Sequence, residues 1–531
     1  MVMTTTNESA FLDIIKQQSE TIAALQKSLD QMNEESKLLR EQIDYLTKKL
    51  FGRKSEKTDI ISGQIVLDEV AFGQFDEAEV SAIPDEMETL ITKKKSRKGY
   101  SREKAMAGVV EEDRFYSLRE EDRTCEIDGD HLHYMGRKYV RTEIEYHPAT
   151  MKLVHLYHES RECRTCRKQG RPHIKTVHGP SPVLQHSMAS ASSVAWTMYQ
   201  KYVNHVPLYR QEKDWQNLGL ELKRSTLANW IIKTSGDWLS PMVDRLREKL
   251  LEQNYLHADE TTLQVLKEEG RQAQTKSYMW VFATGETSQS PVRIFQYHAG
   301  RNGNHAANFL SGYTGYLHTD GYSGYGKVQG ITRCTCWSHV RRYFMDALPK
   351  DSKTPESTLP KIGIAYCNKL FEIESKLKEL SAKDRKDKRL ELELPVLEAF
   401  WTWVDETLPK ALAKSRIGKA LQYANNHKKW LMTFLEDGNC AISNNLAENS
   451  IRPFTVGRKN WLFSSSPAGA DASATVYSIV ETAKANGLNP YKYLEHLLTE
   501  IPSMDIQKNL ESLDDLLPWN SSIQAACAVK K

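Results

Sequence analysis

The chain has 531 residues, more than the roughly 100–200 of one compact domain, so the sequence predicts several domains and excludes a single small module. Its 72 Lys and Arg residues against 69 Asp and Glu residues give a formal net charge of +3, so any nucleic-acid surface must come from local clustering of charge. A hydrophobic fraction of 40% and a charged fraction of 27% are typical of a globular protein and exclude a disordered or fibrous one.

The sequence predicts a cytoplasmic protein without a membrane partner. No apolar run reaches the roughly 18–20 residues that span a bilayer, and the first residues lack the order of a secretory signal. Eight cysteines in so long a chain favour reduced thiols or a metal site over a disulfide framework. We therefore expect no structural disulfide.

A heptad repeat runs from Ile15 to Leu50, and nine of its eleven a and d positions are apolar. This repeat favours a two-stranded coiled coil over residues 1–52, with the polar core positions Gln18 and Ser36 setting the register. The alternative is a helix that packs on its own domain. The coiled coil predicts a homo-oligomer, most simply a dimer.

Residues 53–105 are predicted to form a linker with two oppositely charged parts. Residues 68–88 hold eight acidic residues and no Lys or Arg, and a basic run over residues 93–98 follows. The basic run either contacts phosphates or is a solvated tail.

Residues 106–180 are predicted to form a small β-rich, zinc-finger-like module, and residues 185–250 a helical domain. Two short helices around Gly219 favour a helix-turn-helix, with Ser225 as the expected N-cap of the second helix. A recognition helix contacts base edges through its N-terminal side chains, so the candidate DNA contacts are Lys223, Arg224, Ser225, Asn229 and Lys233. The alternative is a helical packing domain with exposed charges.

A sheet followed by a helical block is predicted for the next part of the chain. Residues 278–284, 292–298 and 315–319 are predicted strands, because they mix β-branched and aromatic residues between glycine-marked turns. Residues 350–438 return to a helical pattern rich in Lys, Glu and Leu, interrupted by Pro395 and Pro409. This block interrupts the sheet domain.

Three carboxylates, Asp259, Asp320 and Glu448, each lie beside an apolar segment. An aspartate at the end of a buried strand is costly unless a cation compensates it, and Mg²⁺ held by several carboxylates supplies that compensation. Two such ions about 3.5–4 Å apart suit phosphodiester chemistry. Any single acid can equally well end a strand without a function, so only the three acids together indicate a metal site.

Basic residues accompany the acidic ones. Arg452 lies one helical turn after Glu448 on a helix that should begin near Asn445, and Arg458 and Lys459 follow. These cations can grip the DNA backbone, although Arg452 can also form an ordinary helical ion pair.

The segment after residue 333 carries both zinc-type ligands and arginines. Cys334, Cys336 and His339 can bind zinc in principle, but no fourth ligand is evident from the sequence. The favoured interpretation is a packed strand or helix end that presents Arg341 and Arg342 to DNA.

A set of motifs across the chain resembles the insertion-sequence-sixty-six family of bacterial transposases, of the transposase C type. The matching runs are Leu50-Phe51-Gly52-Arg53-Lys54-Ser55-Glu56-Lys57, His205-Val206-Pro207-Leu208-Tyr209-Arg210-Gln211, Leu256-His257-Ala258-Asp259-Glu260-Thr261, Asp320-Gly321-Tyr322-Ser323-Gly324-Tyr325, Cys336-Trp337-Ser338-His339-Val340-Arg341-Arg342, Asn444-Asn445-Leu446-Ala447-Glu448, Ile451-Arg452-Pro453, Gly457-Arg458-Lys459-Asn460-Trp461-Leu462-Phe463 and Leu517-Pro518-Trp519-Asn520.

The resemblance implies a multidomain α+β protein with a ribonuclease-H-like catalytic domain. Its Asp-Asp-Glu triad falls on Asp259, Asp320 and Glu448, which would hold two Mg²⁺ or Mn²⁺ ions. The catalytic domain would cover residues 251–345 and 441–500, with an all-α insertion over 346–440 and a C-terminal tail over 501–531. His257 and His318 are expected to be structural.

The small module departs from the family pattern. Relatives carry two Cys-x-x-Cys pairs, whereas the first pair here is Cys125 and Asp128, opposite Cys163 and Cys166. The module either holds Zn²⁺ through these four residues or folds on its apolar core alone.

The leading hypothesis is a DNA transposase that binds the inverted-repeat ends of its element, cuts there with Mg²⁺ and joins the freed 3′-hydroxyl to target DNA. The resemblance also implies small accessory proteins from the same element. Two alternatives are a catalytically silent DNA-binding relative and a ribonuclease-H-like nuclease without strand transfer.

Overall fold

The structure is a computed structural model that describes residues 181–349, 357–506 and 509–529, together with residues 154, 156, 160–162, 174–176 and 355. The predicted coiled coil over 1–52, the linker over 53–105 and the zinc ligands Cys125, Asp128, Cys163 and Cys166 lie outside the described residues. In the small β-rich region the structure describes two short antiparallel strands, β1 (Ser160–Glu162) and β2 (Ile174–Thr176).

A five-stranded mixed sheet forms the centre of the fold. Its strands are β3 (Tyr255–Gln264), β4 (Lys276–Thr284), β5 (Arg293–His298), β6 (Tyr316–Thr319) and β7 (Thr332–Thr335). The spatial order is β5-β4-β3-β6-β7; β3, β4 and β5 are antiparallel neighbours, while β6 runs parallel to β3 and to β7. The strands predicted over 278–284, 292–298 and 315–319 are therefore confirmed.

Four helices precede the sheet: α1 (Ala191–Tyr202), α2 (Leu208–Asn217), α3 (Arg224–Thr234) and α4 (Ser240–Leu251), with a π-helical turn at Ser235–Leu239. Gly219 turns the chain between α2 and α3 with a φ of +87°, which costs a glycine little. The expected N-cap at Ser225 is wrong. The N-cap is Lys223 and the helix begins at Arg224, two residues earlier than expected, because the carboxylate of Glu212 accepts a hydrogen bond from the Arg224 N–H at 3.0 Å.

The predicted helical block is confirmed. Helix α5 (Gly303–Phe309) lies between β5 and β6, and α6 (Trp337–Asp346) follows β7. The block then contains α7 (Leu359–Leu377), α8 (Ala382–Leu392), α9 (Leu394–Thr407) and α10 (Arg416–Met432). Pro395 occupies the first turn of α9, where a missing N–H costs nothing. Trp337 and Phe400 anchor a second core that α6 shares with this block.

Four helices complete the chain: α11 (Asn445–Trp461), α12 (Pro467–Ala485), α13 (Pro490–Glu500) and α14 (Ser521–Cys527). Helix α12 covers the edge strand β5. The Ser478 hydroxyl accepts from the Phe295 N–H at 2.8 Å, and the Thr482 hydroxyl accepts from the Arg293 N–H at 3.0 Å. None of the described helices is long and apolar enough to cross a membrane.

Candidate functional site

The two aspartates lie on neighbouring parallel strands. Strand β3 pairs with β6 so that His257 is opposite His318, and the same register continued by two residues brings Asp259 level with Asp320. Asp320 directly follows β6. We expected Asp259 at the end of its strand, but it lies in the middle of β3. Strand β3 continues to Gln264, because β4 pairs with it as far as Lys276.

Helix α11 begins at Asn445, as predicted, and carries Glu448 in its first turn, where the helix dipole favours a carboxylate. Asn444 is the N-cap residue of this helix, but its side chain makes no capping hydrogen bond. Its side-chain amide donates to the Ala258 carbonyl at 2.9 Å, and its Oδ1 lies 2.9 Å from Nδ1 of His257. Asn444 therefore fixes the start of the Glu448 helix against β3, next to Asp259.

Asp259, Asp320 and Glu448 interact electrostatically. Burial raises the pKa of Asp259 well above its usual range, and the charges of Glu260, Asp320 and Glu448 raise it further. The Asp259 residue is only 7% exposed, and its Oδ1 accepts from the Glu260 N–H at 2.8 Å. The negative charges of Asp320 and Glu448 thus act on a third carboxylate, Asp259, which is buried. This arrangement is unfavourable unless a cation neutralises the charges.

A fourth acid, Glu260, lies beside these three. We refer to Asp259, Glu260, Asp320 and Glu448 together as the carboxylate cluster. The Glu260 side chain is fully buried, accepts from Arg301 Nε at 2.6 Å, and accepts from the Tyr325 hydroxyl at 2.5 Å. Burial and the charge of Asp320 raise the pKa of Glu260 to about 7, although Arg301 and Tyr325 oppose the shift. Sequence reasoning missed Glu260, whose only signal was its place beside Asp259.

Arg301 links the two halves of the cluster. Its Nη2 lies 3.5 Å from Oδ2 of Asp320, and the same guanidinium bonds Glu260. Tyr322 lies under the guanidinium, with the ring centre 4.0 Å from Cζ. Arg301 was not predicted, because it lies in a loop whose sequence gives no sign of its distant partners.

The loop after Asp320 is held from two sides. Arg333 on β7 donates to the carbonyls of Asp320 and Tyr322, both at 2.8 Å. On the other side, a Cβ on Gly321 would lie 2.6 Å from the Tyr423 ring of α10. The Asp-Gly-Tyr sequence thus needs its glycine because the helical block packs directly on this loop.

Glu448 faces helix α6. Its carboxylate lies 3.7 Å from Nδ1 of His339 and 3.5 Å from Nη2 of Arg342, and its Oε1 is buried without a hydrogen-bond partner. Although burial opposes protonation of His339, the Cys336 side chain and Glu448 raise the pKa of His339 to about 9. His339 can therefore carry a positive charge beside Glu448.

The zinc-type ligands Cys334, Cys336 and His339 are not brought together as one set. Cys336 and His339 lie with Glu448, with ligand atoms within 4.8 Å of one another. Cys334 lies instead with His318 and Cys440. Five described cysteines, Cys334, Cys336, Cys367, Cys440 and Cys527, are free thiols.

The candidate DNA-binding residues fall into two groups. On and just before α3 five of them are exposed: Lys223, Arg224, Ser225, Asn229 and Lys233. Those near the cluster make contacts within the protein. Arg341 donates to Asn368 Oδ1 at 2.7 Å, Arg342 pairs with Glu448, and Arg458 donates to the Thr262 carbonyl of β3. Arg452 is half-buried on α11, and Lys459 near its end is exposed.

Comparisons with known proteins identify the class. Residues 186–472 match the transposase IS66 family, residues 478–519 match the IS66 C-terminal element, and residues 38–107 match the transposase C of IS166 homeodomain. Transposases are enzymes that act on DNA. Since the first match covers more than half of the chain, the protein belongs to the IS66 transposase family of insertion sequences, which confirms the resemblance seen in the motifs.

Three relatives from Sinorhizobium fredii (strain NBRC 101917 / NGR234) are similar over much of the chain. The uncharacterized protein y4qI is 30% identical over 66% of this chain and 66% of its own length, just under two thirds. The uncharacterized protein y4hP is 25% identical over 92% of this chain and 89% of its own. The uncharacterized protein y4jD is 27% identical over 76% of this chain and 79% of its own.

Proposed function

We propose that this protein is a DNA transposase that cuts at the inverted-repeat ends of its insertion sequence and joins the freed ends to target DNA. The observation that carries the proposal is the placement of Asp259 and Asp320 on neighbouring parallel strands, with Glu448 on a helix packed against them. Membership of the IS66 transposase family supports the same function.

The sheet supports a ribonuclease-H-like catalytic domain. Three antiparallel strands are followed by two parallel ones, and the first strand, β3, lies in the centre of the order β5-β4-β3-β6-β7. Helix α11, after the helical block, returns to pack on β3. This is the arrangement that the family resemblance implies, with the block as an insertion before the Glu448 helix.

The carboxylate cluster suits a hard divalent cation such as Mg²⁺ or Mn²⁺, which binds carboxylate oxygens. Asp259, Asp320 and Glu448 would hold two such ions, since Glu448 Oε1 has no protein partner and the charges of the others raise the pKa of Asp259. Ions bound in pairs supply activation of a water or 3′-hydroxyl and stabilisation of the leaving oxygen.

The protein's own side chains would position this chemistry. Asn444 holds the Glu448 helix against β3, Arg333 holds the backbone after Asp320, and Arg301 orients the carboxylate of Asp320. Because two-metal transfer needs no covalent enzyme intermediate, no Ser, Tyr or Cys nucleophile is required.

End recognition would fall to α3 and its exposed basic and polar residues, since a recognition helix reads base edges with its N-terminal turn. A dimer through the N-terminal coiled coil would hold two DNA ends together, and accessory proteins of the same element would assist. Zinc in the small module would be structural.

The test is an assay with the purified full chain, Mg²⁺, a duplex carrying the element's end and a target plasmid. Asp259→Asn, Asp320→Asn and Glu448→Gln are each expected to reduce cleavage at least about 1000-fold, because each removes a charged ligand worth several kcal/mol of transition-state stabilisation. End binding, measured by mobility shift, should stay near the wild-type value.

Asp405→Asn is the matched control, because Asp405 is an exposed acid on α9 that pairs with Lys428. Joined products from the wild type support a transposase. Cuts without joining would indicate a nuclease, and shifted but uncut DNA would indicate a binding protein. Normal cleavage by any triad variant would refute the assignment of that residue.

A further inference from the structure

Three buried side chains outside the carboxylate cluster lie together: His318, Cys334 and Cys440. Each offers one ligand atom, and these atoms lie within 4.8 Å of one another. They come from three separate segments, namely β6, β7 and the turn between α10 and α11. Nothing in the proposed transposition chemistry uses them.

The backbone fixes this arrangement. His318 and Cys334 are register partners on the parallel strands β6 and β7, so their side chains lie on the same face of the sheet. Cys440 is held by its turn, where its N–H donates to the Asp437 carbonyl at 3.0 Å. Arg389 donates to the same carbonyl at 3.0 Å, which ties the turn to the helical block.

His318 has an unused nitrogen. Its Nε2 is buried without a hydrogen-bond partner, and the residue is only 2% exposed. Its ring stacks on His257 with centres 4.5 Å apart, and Nδ1 of His257 is engaged by Asn444. A histidine nitrogen without a protein partner is available as a metal ligand.

We propose that His318, Cys334 and Cys440 bind one zinc ion, with a water in the fourth position. Two thiolates and a neutral imidazole suit Zn²⁺ in both softness and charge, since the two negative sulfurs balance the ion. Both thiol protons leave to solvent on binding. Zinc bonds of about 2.0–2.3 Å separate tetrahedral ligand atoms by roughly 3.6 Å, so small side-chain rotations from the present separation suffice.

The zinc ion would join the two parts of the carboxylate cluster. His318 lies two residues before Asp320, and Cys440 lies in the segment that leads to Asn444 and the Glu448 helix. A single ion would thus tie β6 and β7 to the start of α11. The proposal of this zinc site does not depend on the proposed transposase function.

The experiment uses the full chain carrying Cys163→Ser and Cys166→Ser, which removes two of the three candidate thiolate ligands of the small module and leaves Cys125 and Asp128, too few for a structural zinc site. This background protein is expected to retain about one zinc per chain by metal mass spectrometry. After the zinc is stripped, added Co²⁺ should give a thiolate-to-cobalt charge-transfer band. The Co²⁺ measurement needs no ligand variant, so it stands even where such a variant fails to fold.

Cys334→Ser and Cys440→Ser, each added to the background, are expected to weaken Co²⁺ binding at least about 100-fold. Two control variants should bind as the background does. Cys367→Ser changes a buried free thiol in α7, and Cys336→Ser changes the thiol beside His339 and Glu448. Circular dichroism reports whether each variant is folded.

Three results would overturn the proposal. The first is a background protein that holds no zinc and gives no thiolate band with Co²⁺. The second is loss of the band in Cys336→Ser but not in Cys334→Ser, which would place the ion beside Glu448. The third is a Cys334–Cys440 disulfide in zinc-free protein isolated with reductant.

Discussion

The carboxylate cluster and the helical block both bury acidic groups, but they compensate them differently. In the block, Arg389 is fully buried, bonds both carboxylate oxygens of Glu374 at 2.6 and 2.8 Å, and donates to the Phe434 carbonyl at 2.8 Å. Burial and the adjacent Glu374 raise the pKa of Glu393 to about 9, so this third member is protonated at neutral pH. The block thus reaches neutrality with its own groups.

The protein's own groups do not neutralise the carboxylate cluster to the same extent. Arg301 bonds Glu260 and reaches Asp320, and Arg342 and His339 flank Glu448. Among the described residues, however, Asp259 forms no ion pair, and its pKa is raised by three other acids. In a buried cluster that only stabilises the fold, the charged side chains neutralise one another. In a cluster that binds a cation, negative charge remains in excess until the cation is bound. The difference separates a structural group from a candidate catalytic one, and three variants test it.

The largest effect is expected from Arg389→Met. Removing the guanidinium leaves Glu374 without its partner in a buried place, so the free energy of unfolding should fall by about 3–5 kcal/mol. Urea unfolding followed by tryptophan fluorescence measures this change. Lys388→Met is the control, since the exposed Lys388 pairs with Glu391, and it should change stability by less than about 0.5 kcal/mol. Equal effects of the two variants would show that Arg389 is no more important for stability than an exposed lysine.

A smaller effect is expected from Arg301→Met. The variant should lower the cleavage rate about 10–100-fold and raise the Mg²⁺ concentration for half-maximal rate, because Arg301 positions Asp320 and Glu260 without being a metal ligand. Arg301→Lys should recover part of the loss. Arg271→Met is a matched control, because Arg271 bonds Glu268 at 2.5 Å and Ser277 at 2.9 Å. A full loss of cleavage, equal to that of Asp320→Asn, would argue against a positioning role.

The smallest effect concerns Glu393 and pH. The pKa of Glu393 is raised to about 9 in the folded chain, against about 4.3 in an unfolded one, so the folded state retains a proton that the unfolded state loses. The stability that this proton contributes is complete below about pH 4 and is lost as the pH rises towards 9.

Glu393→Gln should therefore flatten the dependence of the melting temperature on pH and melt about 4 °C higher than the wild type at pH 8. Differential scanning calorimetry between pH 5 and pH 9 measures it. Glu398→Gln, an exposed change in the first half of α9 just after Glu393, should follow the wild-type curve. Parallel curves for the wild type and Glu393→Gln would show that Glu393 is ionised in the folded protein.

Local patterns predicted much of the fold. The three predicted strands, the two helices around Gly219 and the helical block appear where expected, because β-branched residues, prolines and glycines act within a few positions of themselves. The start of the Glu448 helix at Asn445 was also predicted. The same local reasoning was wrong at Ser225, where a carboxylate from the preceding helix caps the backbone instead.

The surroundings of the site were harder to predict, because they depend on contacts between distant residues. Arg301 bonds Glu260 across 41 positions, and Asn444 bonds Ala258 across 186. Neither contact produces a periodic pattern that a single sequence would reveal. The spacing of Cys334 and Cys336 allowed a single zinc ligand set in principle, yet Cys334 lies with His318 and Cys440 while Cys336 lies with His339.

The cover that α12 places over β5 limits how copies of the chain can associate. An uncovered outer strand offers unpaired amides to a strand from another molecule, which leads to edge-to-edge pairing and aggregation. Ser478 and Thr482 already occupy the amides of Phe295 and Arg293. A strand from another molecule therefore cannot pair with β5 at these two amides, so this part of the sheet edge is closed to strand addition.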